Sequence, residues 1–332
     1  MKKTWVLLLI GLAAVGCRRA SEDLYTIGVC QVNDAPTLNA VREGFVKALE
    51  DRGFRDGENI SLLFRNANGD IQVMQKIARE FVMEKVDMIV PLSTPSLQAA
   101  LHATQTIPIV FSSIANPYLA GAGRSATDHL PTVTGVSSQG PIGESLDFIR
   151  RLLPDIQTLG TLWTPSELNS EYYLNLARDA ARRNGLTIIA VPVRKTSEVL
   201  IAAQELVNRD IDVIYQISDN TTNASFEALS RVADENGIPL FGGFLLSTEE
   251  GAAAALGWDF FDMGYQAGQI ALRVKAGESP GAIPIEYMSE VRLHLNLAAA
   301  ARQGLTFPES IIEQADRVLR TDRRAASVSR LD

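Results

Sequence analysis

One pattern, a short β-rich run followed by a helical run, occurs twice along this chain and constrains its fold more than any other feature. The β-rich runs are mostly continuous apolar stretches, which is typical of parallel strands covered on both faces. Strand–helix alternation at these lengths predicts βαβ units. The predicted strands are 25–32, 60–65, 88–92, 107–111 and 133–136 in the first half, and 158–163, 187–193, 213–217, 239–241 and 252–257 in the second.

The two halves also match each other block by block. Asp87 directly precedes an apolar strand in the first half, and Asp212 precedes the corresponding strand in the second. The next strand begins at Ile107-Pro108 in one half and at Ile238-Pro239 in the other. The ordered series predicts an α/β fold of two similar doubly wound parallel-sheet lobes that face each other across a crevice. The length of 332 residues is typical of about two domains.

The first seventeen residues have the pattern of an export signal. Lys2 and Lys3 form a basic start, residues 6–15 are an apolar run broken only by Gly11, and Cys17 follows Gly16. This order predicts a signal peptide that is too short for a stable membrane span. The alternative is an N-terminal helix of the fold, but such a helix would be apolar on every side.

The segment 12–17 resembles a bacterial lipobox, in which the cysteine is lipidated and becomes the mature N-terminus. The match is incomplete because Ala14 stands where leucine is usual. We expect lipidation at Cys17, with residues 18–24 as a polar tether to the membrane surface. Secretion without lipidation is the alternative.

Charge and cysteine content exclude several classes. The formal net charge of −8 argues against a nucleic-acid-binding surface, which requires basic patches. After cleavage only Cys30 would remain besides the N-terminal cysteine, so an internal disulfide is not expected, and Cys30 is predicted to be buried in a strand. Residues 317–332 are basic with few apolar side chains and are predicted to form a polar tail.

Open parallel sheets bind ligands outside the carboxyl ends of their strands, so the loops there are the expected ligand site. Thr94 before Pro95 is typical of a helix N-cap, and the free N–H groups of such a helix suit a carboxylate. Asp219 and Asp259 could receive an ammonium group. The alternatives are helix caps for Thr94 and Asp219 and a solvated turn for Asp259. The candidate ligand-binding residues are Asp34, Ser93, Thr94, Asn116, Ser137, Asn169, Asp219, Asn220 and Asp259.

Three aromatic residues near the strand ends, Trp163, Phe244 and Trp258, are candidates for stacking on a flat ligand, with core packing as the alternative. Enzyme signals are weak. The three histidines are far apart in sequence, and no nucleotide-binding, hydrolase-elbow, metalloprotease or paired-cysteine motif occurs. We therefore predict a non-enzymatic binding protein with no cofactor and no metal site.

Several blocks of the chain are distinctive when taken together. They are 86–90 with 93–95, 107–111 with 116–117, 133–137, 212–215 with 218–221, and the segment 257–268 that begins Gly257-Trp258-Asp259-Phe260-Phe261. Together they resemble the bacterial ABC-transporter substrate-binding lipoproteins of the tryptophan/tyrosine-binding type, which have the type I periplasmic-binding-protein fold. The resemblance extends over residues 25–304. One departure is the first-strand loop at Asn33-Asp34-Ala35-Pro36, where a His-Pro pair is common in the family.

The resemblance implies a monomeric receptor, lipid-anchored to a bacterial membrane and facing the periplasm or the cell exterior. Its lobes would close on an amino-acid-like ligand, aromatic amino acids among the candidates, and dock on an ABC permease in the membrane. A three-stranded hinge is expected near Ser137, Trp258 and Pro284. The expected lobes are 25–137 plus about 258–283, and 138–257 plus about 284–316. A sensory receptor for a signalling partner, or a cleft enzyme, remains the alternative.

Overall fold

The computed structural model describes residues 24–321. Cys17, the predicted signal peptide and most of the tether lie outside the described residues. The strands are β1 (Tyr25–Gln31), β2 (Ile60–Asn66), β3 (Met88–Leu92), β4 (Ile109–Ile114), β5 (Val133–Ser137), β6 (Thr158–Trp163), β7 (Thr187–Pro192), β8 (Val213–Gln216), β9 (Leu240–Gly242), β10 (Ala254–Gly257), β11 (Glu286–Tyr287), β12 (Arg292–Asn296) and β13 (Arg317–Leu319). The helices are α1 (Pro36–Glu50), α2 (Ile71–Met83), α3 (Thr94–Ala103), α4 (Ile142–Leu152), α5 (Leu168–Arg183), α6 (Val199–Val207), α7 (Asn220–Asn223), α8 (Phe226–Asn236), α9 (Phe260–Lys275), α10 (Leu297–Arg302) and α11 (Glu309–Ile312).

The first lobe has a parallel sheet with the strand order β11-β5-β4-β3-β1-β2. Side chains alternate along β1, so Ile27 and Val29 pack under α1 and α9, while Cys30 packs under α2 and α3 on the other face. Helices α1 and α9 touch at backbone distance, because a Cβ on Gly264 would lie 1.9 Å from the carbonyl oxygen of Val41. This close packing holds α9 on the first lobe although it follows the strands of the second.

The second lobe has a seven-stranded sheet in the order β13-β12-β10-β9-β8-β6-β7. Strand β12 is antiparallel to β10, and the other neighbouring pairs are parallel. Helices α4 and α5 contribute to the core on one face, and α6 and α8 to the core on the other. The prediction of two similar α/β lobes with parallel sheets is confirmed.

Three segments cross between the lobes, joining β5 to α4, β10 to α9 and β11 to β12. Trp258 Nε1 donates to the carbonyl oxygen of Gln139 at 2.8 Å, which ties the first crossing to the second. Arg292 lies 3.3 Å from Asp259 and 3.0 Å from Asp262, which ties the third crossing to the second. The hinge segments are therefore linked to one another by side-chain contacts.

Two details of the predicted boundaries need correction. The third crossing follows Tyr287 rather than Pro284, because β11 pairs with β5 in the first lobe. The prediction of a polar tail from residue 317 is wrong for Arg317–Leu319, which form β13 and pair with β12. Both elements are two or three residues long, so neither produces an apolar run.

The core is well filled on both faces of each sheet. Phe45 and Phe81 are fully buried on opposite faces of the first sheet, and burial of each contributes roughly 1.5–3 kcal/mol to folding. Cys30 is buried as predicted, and burial raises the pKa of its thiol to about 12. Among residues 24–321, no helix combines the length and the apolarity that crossing a bilayer requires.

Candidate ligand-binding site

A narrow cavity lies between the two lobes, beyond the carboxyl ends of their strands. The empty space among its lining residues, part of it open to solvent, is ≈ 280 Å³. Hydroxyl, amide and aromatic side chains from both lobes form its walls, and none of these side chains is charged. The lining residues are Thr37, Ser113, Ala115, Ser138, Asn169, Tyr173, Ser218, Asn220, Asn223 and Phe260.

The two lobes contact each other directly at this cavity. Asn33, in the loop after β1, donates from Nδ2 to the carbonyl oxygen of Asn220, after β8, at 2.7 Å. Tyr173 of α5 donates from its hydroxyl to the carbonyl oxygen of Ser138, on the first crossing, at 2.6 Å. The two lobes are therefore in contact beside the cavity, and residues of both lobes line it.

Four buried side-chain atoms in the segments that follow β1, β3, β6 and β8 lack a hydrogen-bond partner among the described residues, and of these four residues only Asn169 lines the cavity. They are Oδ1 of Asn33, Oγ1 of Thr94, Oδ1 of Asn169 and Oγ1 of Thr222, two from each lobe. Unpaired buried polar atoms are uncommon in folded proteins, because each loses its hydrogen bonds to water without replacement. These four atoms are therefore candidates for binding the polar groups of a ligand.

A buried carboxylate stands directly behind the cavity wall. Glu167, before α5, is 5 % exposed and accepts hydrogen bonds from the side chains of Asn169 and Asn220 at 3.0 and 2.6 Å. It also accepts from the main-chain N–H of Thr221 at 3.1 Å and from its hydroxyl at 2.7 Å. Burial, and then repulsion by Asp219, raises the pKa of Glu167 to about 7 against the lowering effect of these hydrogen bonds.

The model of the family described as ABC transporter substrate binding protein matches residues 26–319. The chain belongs to this family. The assignment confirms the resemblance seen in the sequence, and it confirms the predicted non-enzymatic binding role. Among the described residues, no group of three or more His, Cys, Asp or Glu side chains is placed to hold a metal ion.

Relatives of this substrate-binding protein include the tyrosine-binding protein of Clostridioides difficile (strain R20291), which is 37% identical over 276 residues, 83% of this chain and 80% of the relative. A Streptococcus pneumonia ABC domain solved in complex with L-Trp has a TM-score of 0.85 at 26% identity, covering 89% of this chain and 100% of that chain. The ligand-free, open structure of a Clostridium difficile substrate-binding protein with adhesive properties has a TM-score of 0.66 at 32% identity, covering 90% and 100%.

Asn169 and Asn220 are the two predicted site residues that line the cavity of this substrate-binding protein. They lie at the starts of two helices of the second lobe, Asn169 in the first turn of α5 and Asn220 at the first residue of α7, which follow β6 and β8. The order of the second sheet places β6 beside β8, which brings these helix starts together. Two predicted candidates from separate stretches of sequence are thus neighbours in the site.

Ser93 and Thr94 do not line the cavity, although α3, which begins there, contacts α5 of the second lobe, and the capping of α3 differs from the prediction. The N-cap of α3 is Ser93, not Thr94, and its side chain makes no capping hydrogen bond, since its hydroxyl lies 2.9 Å from that of Ser96. Ser93 has a φ of 100°, a strained value for a residue with a side chain. Ser137 donates from its hydroxyl to the carbonyl oxygen of Ile114, and does not line the cavity.

Three other predicted residues make local turn or helix contacts instead of lining the cavity. Asp34 accepts from the side chain of Asn39 at 2.7 Å. Asn116 accepts from two N–H groups of the turn that follows it, each at 3.0 Å. Asp259 caps α9 and pairs with Arg292, so it is a helix cap rather than the solvated turn that was the alternative.

Asp219 also has the structural role that was its alternative. The side chain is 1 % exposed and caps α7 by accepting from the N–H of Thr222 at 2.7 Å. It accepts in addition from the N–H and the hydroxyl of Thr164, both at 3.0 Å. Both oxygens are thus engaged within the protein, and Asp219 does not line the cavity.

The predicted stacking residues are not part of the cavity wall. Phe244 is fully buried and packs edge-on against Phe226 at 5.3 Å between ring centres. Trp163 packs against the core of the second lobe. Trp258 is bound to Gln139 in the hinge. Phe244 and Trp163 show the core packing that was the alternative, whereas Trp258 is held in the hinge.

The aromatic residues that do line the cavity, Tyr173 and Phe260, were missed in the sequence. Each had a signal, because Tyr173 lies one helical turn after the candidate Asn169, and Phe260 directly follows the candidate Asp259. Glu167 was also missed, although it lies two residues before Asn169. Its partners Asn220 and Thr221 are more than fifty residues away, so only the folded chain reveals its role.

Proposed function

We propose that this protein is the exported receptor of an ABC importer and captures an aromatic amino acid, tyrosine or tryptophan, by closure of its two lobes. The observation that carries the proposal is the cavity, which both lobes line with hydroxyl and amide groups and aromatic rings, among them the unpaired Oδ1 of Asn169. The relative that binds tyrosine and the similar structure that holds L-Trp support the choice of ligand.

The groups around the cavity suit a zwitterion with a ring. The unpaired Oδ1 atoms of Asn33 and Asn169 can accept from an ammonium group, one from each lobe. The unpaired hydroxyl of Thr94 and the uncapped first turn of α3 can donate to a carboxylate. Tyr173 and Phe260 supply an aromatic wall for the side chain.

Two observations support closure around the ligand. Asn33 of one lobe bonds to Asn220 of the other, a contact that separating the lobes would break. The chain is also more similar in shape to the L-Trp complex than to the open, ligand-free structure, with TM-scores of 0.85 and 0.66, although its sequence is closer to the latter. A ligand that contacts both lobes stabilises the closed state by its differential affinity.

Titration calorimetry with the twenty amino acids tests the proposed ligand. We expect tyrosine or tryptophan to bind at least about tenfold more tightly than alanine or glutamate, a difference of roughly 1.4 kcal/mol. Glucose serves as the control, because sugar-binding proteins share this fold at low identity. Tightest binding of a sugar, or heat from none of the amino acids, would contradict the proposal.

The proposed receptor is tethered to the membrane by lipid on Cys17, and its closed form docks on a permease. The lipobox-like segment 12–17 and the polar residues 18–24 support the anchor. Mass spectrometry of the protein from membranes should find a diacylated Cys17 at the mature N-terminus, and Cys17→Ala should release the protein into the soluble fraction. An unmodified cysteine in a membrane-free protein would exclude the anchor.

A further inference from the structure

We propose that Glu167 is a positioning residue for ligand binding, which fixes Asn169 and Asn220 so that one faces the ligand and the other faces the opposite lobe. The inference rests on the proposed function, because it requires a ligand that carries an ammonium group. Glu167 does not line the cavity, but two of its hydrogen-bond partners do.

The contacts of Glu167 select the ionised carboxylate. Its two oxygens face five donors: an N–H and a side-chain amide of Asn220, the side-chain amide of Asn169, and the N–H and hydroxyl of Thr221. Four of these are N–H groups, which cannot accept a hydrogen bond, whereas an ionised carboxylate only accepts. A protonated Glu167 would carry an O–H donor, and among these five groups only the Thr221 hydroxyl can accept a hydrogen bond from it. Facing any of the four N–H groups, the protonated oxygen would place a donor against a donor.

The orientation of the Asn169 amide follows from this arrangement. Its Nδ2 donates to Glu167 at 3.0 Å, so its Oδ1 forms the opposite end of the amide and is buried without a partner among residues 24–321. A flipped amide would place its oxygen against the carboxylate. Glu167 thus fixes an acceptor on a residue that lines the cavity, where it can bind an ammonium N–H.

The same carboxylate fixes the contact between the lobes. The N–H and the side-chain amide of Asn220 both donate to Glu167, at 3.2 and 2.6 Å. The carbonyl oxygen of Asn220 then accepts from Asn33 of the first lobe at 2.7 Å. One carboxylate therefore supports both a ligand-facing acceptor and a bond that forms on closure.

The negative charge of Glu167 links its positioning role to binding of the ligand. The charged group that faces Glu167 is Asp219, a second buried carboxylate, and neither has an ion-pair partner within the described part of the chain. A ligand ammonium group in the adjacent cavity would supply the missing positive charge. Because the pKa of Glu167 is raised to about 7, the carboxyl loses its proton as pH rises through that value. A bound ammonium group favours the ionised carboxylate, so the affinity for the ligand should rise with pH over the same range.

Calorimetry with L-tyrosine and L-tryptophan between pH 5.5 and 8 tests the proposal. Wild-type protein should bind about tenfold more tightly at pH 8 than at pH 5.5, which corresponds to a coupling of one pKa unit. Glu167→Gln should bind about tenfold more weakly at pH 8 and show no such pH dependence. The tyrosine analogue 3-(4-hydroxyphenyl)propionate, which lacks the ammonium group, should bind wild type without the increase.

Two further variants keep the test independent of folding. Glu171→Gln removes an exposed carboxylate from the first turn of the same helix and should bind as wild type does at every pH. Asn169→Ala removes the fixed acceptor but leaves the contacts of Glu167 with Asn220 and Thr221. Asn169→Ala should also weaken binding and reduce its pH dependence. This variant provides a test even if Glu167→Gln fails to fold.

The outcomes separate the two proposals. If wild-type protein binds no amino acid at any pH, the proposed function fails, and this inference fails with it. If wild type binds tyrosine or tryptophan but Asn169→Ala, or a folded Glu167→Gln, keeps its affinity and pH profile, the role of Glu167 is refuted while the proposed function stands. A pH dependence that the analogue without the ammonium group shares would also refute that role.

Discussion

At the scale of single residues, the two acidic side chains that directly follow strands, Asp219 and Asp259, make structural contacts within the protein. Asp219 and Asp259 were candidates for an ammonium group because each follows an apolar run. A short carboxylate directly before a helix is also the preferred cap of that helix, and both make this contact. The amides Asn169 and Asn220, which were also candidates, line the cavity. The capping signal was available in the sequence, whereas the distant partners of Glu167 were not.

Glu167 also makes a prediction for stability against pH. Its pKa rises from the ordinary value of 4.5 to about 7, so the folded protein binds this proton more tightly than the unfolded chain does. The resulting stabilisation is complete below about pH 4.5 and is lost as pH rises through about 7. We expect the free energy of unfolding of wild type to fall by about 1–3 kcal/mol more than that of Glu167→Gln over this range.

Urea denaturation of the ligand-free protein at several pH values measures this difference. The pH slope is the quantity to compare, because Glu167→Gln also changes hydrogen bonds and shifts the whole curve. Glu171→Gln should reproduce the slope of wild type. Parallel curves for wild type and Glu167→Gln would show that burial does not raise the pKa of Glu167.

At the scale of elements, the sequence predicted ten strands of the two sheets and missed three, the edge strands β11 and β13 and the inner strand β12. All ten predicted strands exist, because a short continuous apolar run between two helices is typical of a buried strand. Strands β11 and β13 have two and three residues, too few for a pattern. Strand β12 does alternate, with Leu293 and Leu295 buried, but an antiparallel strand late in the chain did not fit the repeated βαβ pattern.

The contact between α1 and α9 predicts an unequal pair of glycine substitutions. A Cβ on Gly264 would lie 1.9 Å from the carbonyl oxygen of Val41, so Gly264→Ala must push the helices apart. We expect it to lower the free energy of unfolding by about 3 kcal/mol. Gly143, in the first turn of α4, has only an ordinary 3.5 Å neighbour, so Gly143→Ala should leave stability within roughly 0.5 kcal/mol of wild type.

Denaturant titration of both variants beside wild type checks the pair. Each replaces a helical glycine by alanine, and the propensity gain at Gly264 can only stabilise, so a loss of stability there reports the close approach of α9 to α1. Equal stabilities would mean that these helices can separate at little cost. The return of α9 to the first lobe would then need another explanation.

At the scale of the whole molecule, the duplicated pattern was enough to predict two lobes and a crevice. It was not enough to predict the wall of the cavity, since Thr37, Tyr173 and Phe260 meet there only when the lobes approach each other. The hinge contacts were likewise invisible in sequence. Arg292 meets Asp259 and Asp262 from a different lobe, and Trp258 reaches Gln139 on another crossing. The architecture thus follows from local sequence patterns, whereas the site depends on contacts between residues that are far apart in the chain.

Small-angle X-ray scattering with and without ligand tests most directly whether the lobes close on an aromatic amino acid. Saturating L-tyrosine or L-tryptophan should reduce the radius of gyration, and the liganded curve should match the scattering of the structure described above, in which the lobes are in contact. Alanine at the same concentration should leave the curve of the free protein unchanged. Identical curves with and without saturating tyrosine and tryptophan would contradict the account.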